Sequence, residues 1–317
     1  MTAFWVAPPT NPDPRRARPV QRRRFNNRHH LTARPPAAFE ARTPSDAAGS
    51  GAGRVYLILG GTIPTSGSVA SSAWVTLSGS AAGDGFGTSI SPVPDSDGDG
   101  RNELLVGAPG VDGSVTSDSG AAYVFEGGFS MSATPIFTIS GSGSGEALGT
   151  ATAAGDLSGD GYADIVVGAP YADSGGVTAA GVAYVYFGST SGFSSTGVSS
   201  LTGSTLDDHV GMSVALAGDV DGAGGSDLLI GAPGVKNSTF GDAGSAYLVF
   251  GPLTSGTSLE ATEIYYDDGN DAAGTWTRTI GDIDNDGYRR LPRRIGGHEH
   301  LCLARATLSQ GDRTCSS

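Results

Sequence analysis

The sequence predicts an all-β protein assembled from repeated four-stranded antiparallel sheets, and three independent markers carry that prediction. Acid-rich loops begin at Asp95, Asp156, Asp219 and Asp282, at spacings of 61, 63 and 63 residues. The tripeptide Gly-Ala-Pro follows at Gly107, Gly168 and Gly231, again 61 and 63 apart. A short aromatic strand recurs as AAYVFEG from Ala121, VAYVYFG from Val182 and SAYLVFG from Ser245, with RVYLILG from Arg54 as a leading copy. Three markers in one order and one register define an internal repeat, which sets the fold before any local reading does.

Each unit divides into four short strands. In the first full unit they are expected at 86–93, 103–108, 121–126 and 135–140, with similar quartets inside 148–202 and 210–267. The runs are four to eight residues long, rich in Val, Ile, Leu, Tyr and Phe, and end in Gly, Pro or Asp. The 51 glycines fall at fixed places between these runs, which favours turn-rich β-structure over disorder. No sustained helical stripe is present. A four-stranded sheet at this period signals the blades of a β-propeller. A β-solenoid has much shorter coils. A leading half unit (strands near 54–60 and 73–78) and a trailing half (near 275–290) make about four blade equivalents, expected as an open or incomplete array. The alternative is that the halves combine and close a small ring.

Charge divides the chain into three. Residues 1–50 carry nine arginines against Asp13, Glu40 and Asp46, and residues 288–317 carry six against Glu299 and Asp312. Residues 51–287 keep only Arg54, Arg101, Lys236 and Arg278 against 27 acids, a net charge near −23. A field of that sign disfavours nucleic acid and anionic membranes and attracts cations. The expected domains are therefore a disordered basic segment 1–50, the array 51–287, and an irregular basic tail 288–317. In that tail RRLPRRIGGHEH stands where a strand and Gly-Ala-Pro belong, as after a change of reading frame. Both cysteines, Cys302 and Cys315, lie in the tail, so the array depends on no disulfide. No apolar run is long enough for a membrane helix, and no secretory signal is visible.

The chemistry lies in the acid loops. Calcium takes six to eight oxygen ligands, so its loop needs several carboxylates on a tightly turned backbone. The first loop, DSDGDGRNE, offers Asp95, Asp97 and Asp99, a carbonyl at Arg101 and the carboxylate of Glu103 at position nine, with Gly100 permitting the turn. The second offers Asp156, Ser158, Asp160, the carbonyl of Tyr162 and Asp164. The third offers Asp219, Asp221, the carbonyl of Gly225 and Asp227. Ala223 replaces its fifth-position ligand, so weaker binding is expected there. The fourth offers Asp282, Asp284 and Asp286, but Arg290 holds its ninth position. An EF-hand would need a carboxylate at position twelve, where Val106, Val167 and Ile230 stand inside expected strands.

Phe86-Gly87, the acid loop and Gly107-Ala108-Pro109 together resemble the FG-GAP repeat of integrin α-subunit propellers and many bacterial secreted proteins. Leu148-Gly149 and Val210-Gly211 keep an apolar residue before the glycine. The resemblance covers about 51–287. It implies Ca2+ bound in a loop between strands one and two, facing away from the ligand surface, and an extracellular or cell-surface location. Propellers of that family typically have seven blades.

No catalytic constellation is present, and the chain is expected not to be an enzyme. His29, His30, His298 and His300 lie in the irregular ends, and His209 reads as an ordinary loop residue. Gly-x-Ser-x-Gly, zinc-ligand spacing and a phosphate loop are all missing. Asp207-Asp208 and Asp267-Asp268 read as solvated surface acids, and Tyr265-Tyr266 and Trp276 as strand packing. The resulting reading is a calcium-dependent module for adhesion or protein–protein recognition. Its candidate loops are 110–120, 171–181 and 234–244, with the blade connections 79–85, 141–147 and 203–209. A glycan-binding, lectin-like propeller and an accessory domain of a secreted hydrolase, as in phospholipases resembling this family, are the alternatives.

Overall fold

The computed structural model describes residues 5–6, 37–42, 49–59, 69–96, 99–128, 131–237, 241–256, 261–266 and 272–277. They form four antiparallel four-stranded sheets in chain order. The first holds β1 (Trp5–Val6), β2 (Ala37–Arg42), β3 (Arg54–Leu59) and β4 (Val75–Ser78), with one helical turn, α1 (Val69–Ser72), before β4. The second holds β5 (Ser89–Val93), β6 (Glu103–Ala108), β7 (Ala121–Phe125) and β8 (Phe137–Ser140). The third holds β9 (Ala151–Gly155), β10 (Asp164–Ala169), β11 (Val182–Tyr186) and β12 (Ser199–Thr202). In the fourth, β13 (Ser213–Gly218) and β14 (Asp227–Ala232) precede a small hairpin, β15 (Lys236–Asn237) and β16 (Gly241–Asp242). Strands β17 (Ser245–Val249) and β18 (Thr262–Tyr266) complete that sheet.

Alternation explains how the sheets stack. Strands β6, β10 and β14 are buried at all six positions, because successive side chains point into two different interfaces. Leu104 and Val106 pack with Val55, Leu57 and Leu77 of the first sheet. Leu105, between them, packs with Ile165 and Val167 of the third. Val166 then faces Leu228 and Ile230 of the fourth. Leu229 turns to the far side, into a cluster with Ala217, Val220 and Leu248. The apolar runs are thus the middle layers of a stack of propeller blades. The first strands β5, β9 and β13 lie beside one another. Ser91 of β5 donates its hydroxyl to the Thr152 carbonyl of β9 at 2.8 Å.

Close backbone contacts repeat at each blade-to-blade step. A Cβ on Gly107 would lie 2.0 Å from the Gly149 carbonyl oxygen, one on Gly168 2.0 Å from that of Gly211, and one on Gly231 1.9 Å from that of Gly274. The Gly-Ala-Pro glycine of one blade therefore receives the carbonyl of the glycine that opens the next. Ser89 and Ser213 donate hydroxyl groups to two of these carbonyls, at Gly149 and Gly274 (2.8 and 2.7 Å). Ala273-Gly274 thus occupies, against the fourth blade, the place that Phe86-Gly87, Leu148-Gly149 and Val210-Gly211 occupy against the others.

The array is open: among the described residues no strand of the first sheet packs extensively on a strand of the fourth, as β9 does on β5 and β13 of the neighbouring blades. One expectation needs correcting. The leading half unit is a full four-stranded sheet, because β2 pairs with β3 from Ala37↔Leu59 to Arg42↔Arg54, and β1 pairs with β2. Two strands therefore come from the segment expected to lie outside the array. The Arg- and Pro-rich average over 50 residues hides a six-residue strand, AAFEAR, that satisfies the backbone edge of β3. Apart from residues 275–277, the trailing half unit lies outside the described residues, as does the basic tail with both cysteines.

Gly168→Val should lower the unfolding free energy by about 3 kcal/mol, since the added side chain meets backbone that cannot retreat. Gly176→Ala, at φ +84° with nothing within 4 Å, should cost only about 1 kcal/mol of backbone strain. Urea unfolding of the two variants measures the difference, and equal losses would remove the contact as a constraint on blade spacing.

Candidate metal centre

The three described acid loops join the first strand of a blade to its second: β5 to β6, β9 to β10 and β13 to β14. Each is wound around its own first carboxylate. Asp95 accepts the Gly100 N–H at 2.9 Å. Asp156 accepts three amides, from Gly159, Asp160 and Gly161, at 2.6, 3.1 and 2.9 Å. Asp219 accepts those of Gly222 and Gly224 at 2.7 and 3.2 Å. The sixth-position glycines that close these turns have φ of +82°, +91° and +88° (Gly100, Gly161, Gly224). A Cβ on any of them would meet nothing within 4 Å, so backbone conformation rather than space selects glycine here.

The ninth-position acid closes the loop from below and is fully buried. Glu103 accepts the amide and hydroxyl of Ser96 at 2.9 and 2.6 Å. Asp164 accepts Leu157 N–H and Ser158 N–H on one oxygen, at 2.8 and 2.9 Å, and Gly188 N–H on the other, at 3.0 Å. Asp227 accepts Val220 N–H at 2.6 Å and Gly251 N–H at 2.8 Å. Gly188 and Gly251 lie two residues beyond the third strands of their blades, so in both loops this acid ties the turn to the end of the sheet. Burial pushes the Asp164 carboxyl up to about 6; its three backbone hydrogen bonds oppose that, and the charge of Asp160 adds to it. Burial raises Asp227 also, with Asp221 and Asp219 adding to the effect.

In loop one, carboxylate oxygens of Asp95, Asp99 and Glu103 all lie within 4.8 Å of one another, and loop three gathers Asp219, Asp221 and Asp227 in the same way. Among the described residues, Asp156, Asp160 and Asp164 of loop two do not form a third such cluster. Asp160 accepts the Tyr162 amide at 2.9 Å, as Asp99 of loop one accepts that of Arg101 at 2.8 Å, and the buried Ser158 hydroxyl has no hydrogen-bond partner. Loop three draws its acids together although Ala223 holds the fifth position; its Asp221 accepts the Ala223 amide at 2.9 Å. Asp97, Asp282, Asp284, Asp286 and Arg290 lie outside the described residues. Arg101, singled out for its carbonyl, also contributes a side chain that pairs with Asp99 at 2.9 Å. The seventh position of loop three, Gly225, is left-handed at φ +85°.

These residues fit a hard divalent cation. The ligands on offer are oxygens, the clustered like charges repel without a counter-ion, and the third position of loop two presents an unpartnered buried hydroxyl. Histidine and cysteine are absent from the loops, which argues against a softer metal.

A second set of acids was not legible as structural. Asp84, Glu146 and Asp208 are buried at the opposite end of the sheets, two residues before Phe86, Leu148 and Val210. Asp84 accepts the amides of Ser80 and Ala81 at 2.8 and 2.7 Å, and Glu146 that of Ser142 at 3.0 Å. Asp208 accepts those of Ser204 and Thr205 at 2.9 and 2.7 Å, and the Thr205 hydroxyl as well. Asp208 is therefore a buried turn lock, not a solvated acid. The signal that could have found it is a regular spacing of 62 residues between these acids. Trp276 is 73 % exposed and does not pack into a strand layer. His209, at φ +55°, meets the exposed Tyr171 edge-on with ring centroids 5.1 Å apart.

Residues 86–125 and 148–186 match the model of the FG-GAP repeat. The chain is similar to integrin alpha-5 of Xenopus laevis, with 34% identity over 163 residues, 48% of this chain and 15% of that protein. Mouse integrin alpha-IIb is 36% identical over 161 residues, 48% of this chain and 15% of its own length. Human phosphatidylinositol-glycan-specific phospholipase D is 37% identical over 143 residues, 43% of this chain and 17% of its own length. The chain thus corresponds to about a sixth of the relatives it matches. Among the described residues no helix is long and apolar enough to cross a membrane.

In chelator, stability should depend on pH through Asp164. Its folded pKa, about 6, lies above the ordinary 3.8, so its contribution is fully present below about pH 4 and is lost as pH rises through 6. The stability difference between the wild type and Asp164→Asn, from urea midpoints in EDTA, should shift against the wild type over that window. A difference independent of pH would contradict the burial described.

Proposed function

On the strength of the FG-GAP repeats that the chain carries, we propose that it is a calcium-binding propeller module for cell adhesion or protein–protein recognition, acting outside the cell or at its surface. The observation that carries the calcium reading is the pair of carboxylate clusters, Asp95/Asp99/Glu103 and Asp219/Asp221/Asp227, built at the same place in two blades. Loop two supplies a third site through Asp156, Ser158, Asp160 and Asp164, and calcium at each would offset the repulsion among its acids. The role is structural: the ion holds a turn on which the first and second strands of a blade depend.

The recognition reading rests on where apolar side chains emerge. Val115, Tyr171 and Leu206 are exposed in the connections at the end of the sheets opposite the acid loops, against Ile136 at the acid-loop end. A recognition rim and a metal rim on opposite ends let the ions stiffen the scaffold without occupying the ligand's place. The ligand is a protein, with a glycan as the alternative. The similarity to a phospholipase D favours a second reading, an accessory domain of a secreted hydrolase. In either reading the repeats themselves do no chemistry.

Isothermal calorimetry should detect two to three calcium ions per chain. At tenfold excess over Kd each ion should add about 1.4 kcal/mol to stability, seen as a rise in melting temperature that EDTA reverses. Absence of calcium heat, together with a melting curve indifferent to EDTA, would falsify the metal reading. Arrays of extracellular proteins and of glycans, probed in calcium, separate the two ligand classes.

A further inference from the structure

The second and third acid loops are joined to each other by backbone. Ser226, the eighth residue of loop three, donates its amide at 2.7 Å to the carbonyl of Asp156, the first residue of loop two. The next residue of loop two, Leu157, accepts at 2.8 Å from the amide of Leu253. Leu253 stands two residues after Gly251, whose amide holds Asp227, the ninth-position acid of loop three. Leu157 is fully buried and packs with Leu228, Val249 and Leu253 of the fourth blade, so loop two's own side chain completes the base of loop three. Close approach reinforces the seam. A Cβ on Gly225 would lie 3.0 Å from the Leu157 carbonyl oxygen, and Gly159 faces Gly225 and Pro252 at 3.5–3.7 Å by the same measure.

From this seam we infer that the second and third loops are coupled, so that a cation in one raises the affinity of the other. The inference rests on the calcium reading above and adds to it a regulation of loading. The groups joined by the seam are those that must be fixed for binding. Asp156 supplies the first ligand of loop two, and Ser226 is the neighbour of the ninth-position ligand of loop three. A cation that draws Asp219, Asp221 and Asp227 into one geometry also fixes Ser226, and through its amide the backbone of Asp156. The second cation then orders less of the chain for itself, which is positive coupling without a change of fold. Coulomb forces work against this, since a filled loop attracts a second cation less. They do not reverse the sign. Three carboxylates around one divalent ion leave the loop negative, and the field between exposed acids is screened over about 8 Å at physiological salt. The ordering effect passes through backbone hydrogen bonds and the packing of buried Leu157 and Leu253, which salt does not screen.

Loop two carries its own reporter. Its seventh residue is Tyr162, where loops one and three have Arg101 and Gly225 and loop four has Tyr288, so the part of the terbium(III) signal that depends on Tyr162 belongs to loop two. The full chain is titrated with terbium(III), with Tyr162→Phe identifying the loop-two signal. Asp221→Ala, an exposed side chain that removes one ligand of loop three, should weaken terbium binding in loop two about fivefold or more. Ser226→Pro keeps every carboxylate and deletes the amide donor of the seam, while its ring also fixes φ beside the left-handed Gly225, and should weaken loop two in the same direction. By reciprocity Asp160→Ala should lower the affinity of loop three for calcium by a similar factor, read by calorimetry. Unchanged or tighter loop-two binding in Asp221→Ala would overturn the coupling while leaving the calcium reading intact. A wild-type chain with neither a Tyr162-dependent terbium signal nor calcium heat would overturn both.

Discussion

Consecutive blades touch where the carbonyl oxygen of Gly149, Gly211 or Gly274 sits against Gly107, Gly168 or Gly231 of the blade before. Any side chain at the receiving position would drive the blades apart by the width of a methyl group or more, and the apolar layers between them would open. At this spacing Leu105 reaches Ile165, and Val166 reaches Leu228. Loss of that contact would forfeit dispersion and transfer energy along the whole interface, because protein interiors tolerate few voids. The opening glycine of a blade thus does two things at once. It begins the first strand, and its carbonyl sets the distance to the previous blade. The two halves of the repeat motif, far apart in sequence within one blade, are explained by this meeting between neighbours.

The same contact governs the acid loops. It aligns the first strands β5, β9 and β13, so the turns that follow them emerge next to each other on one rim. The loops are wound before any ion is considered: a first carboxylate collects the amides of its own turn, and a buried ninth carboxylate pins the turn to the sheet. In this respect the acids do the work that a hydrophobic residue does elsewhere in the blade. Desolvation of Asp164 and Asp227 raises both pKa values, a strain that a counter-ion relieves.

Most of the architecture was legible because its signals are long and periodic. In Glu103–Ala108, Asp164–Ala169 and Asp227–Ala232 a continuous apolar run ending in Gly-Ala follows the initial acid, as a strand covered on both faces requires. The first blade was misjudged where composition replaced pattern: β2 is six residues in a segment dominated by arginine and proline. In the candidate site, the positions of the acids along each loop could be read, while their division of labour could not. Sequence spacing says that Asp164 and Asp227 stand at position nine. It does not say that Gly188 and Gly251, 24 residues on, donate to them. The link from Ser226 to Asp156 joins two blades, and no spacing within one repeat reveals it.

Acidity in this protein therefore has three distinct physical meanings. Exposed acids such as Asp112 and Asp173 face water and hold an amide of their own loop, at 2.9 Å from Asp118 and Ala179 respectively. The clustered acids of loops one and three are placed against one another, a repulsion that a bound cation would offset. Asp84, Glu146 and Asp208 are buried, and spend their charge on turn amides just ahead of each opening glycine. The last group returns the argument to the blade contact. The residue after each of these acids, Gly85, Ala147 or His209, is left-handed (φ +64°, +52° and +55°), so the chain is bent sharply before it enters the next blade. For Ala147 and His209 that conformation is unfavourable, and the buried carboxylate beside each supplies the hydrogen bonds that hold it. A negative charge buried at one rim thereby fixes the direction of the first strand, and so the place where the acids of the other rim emerge.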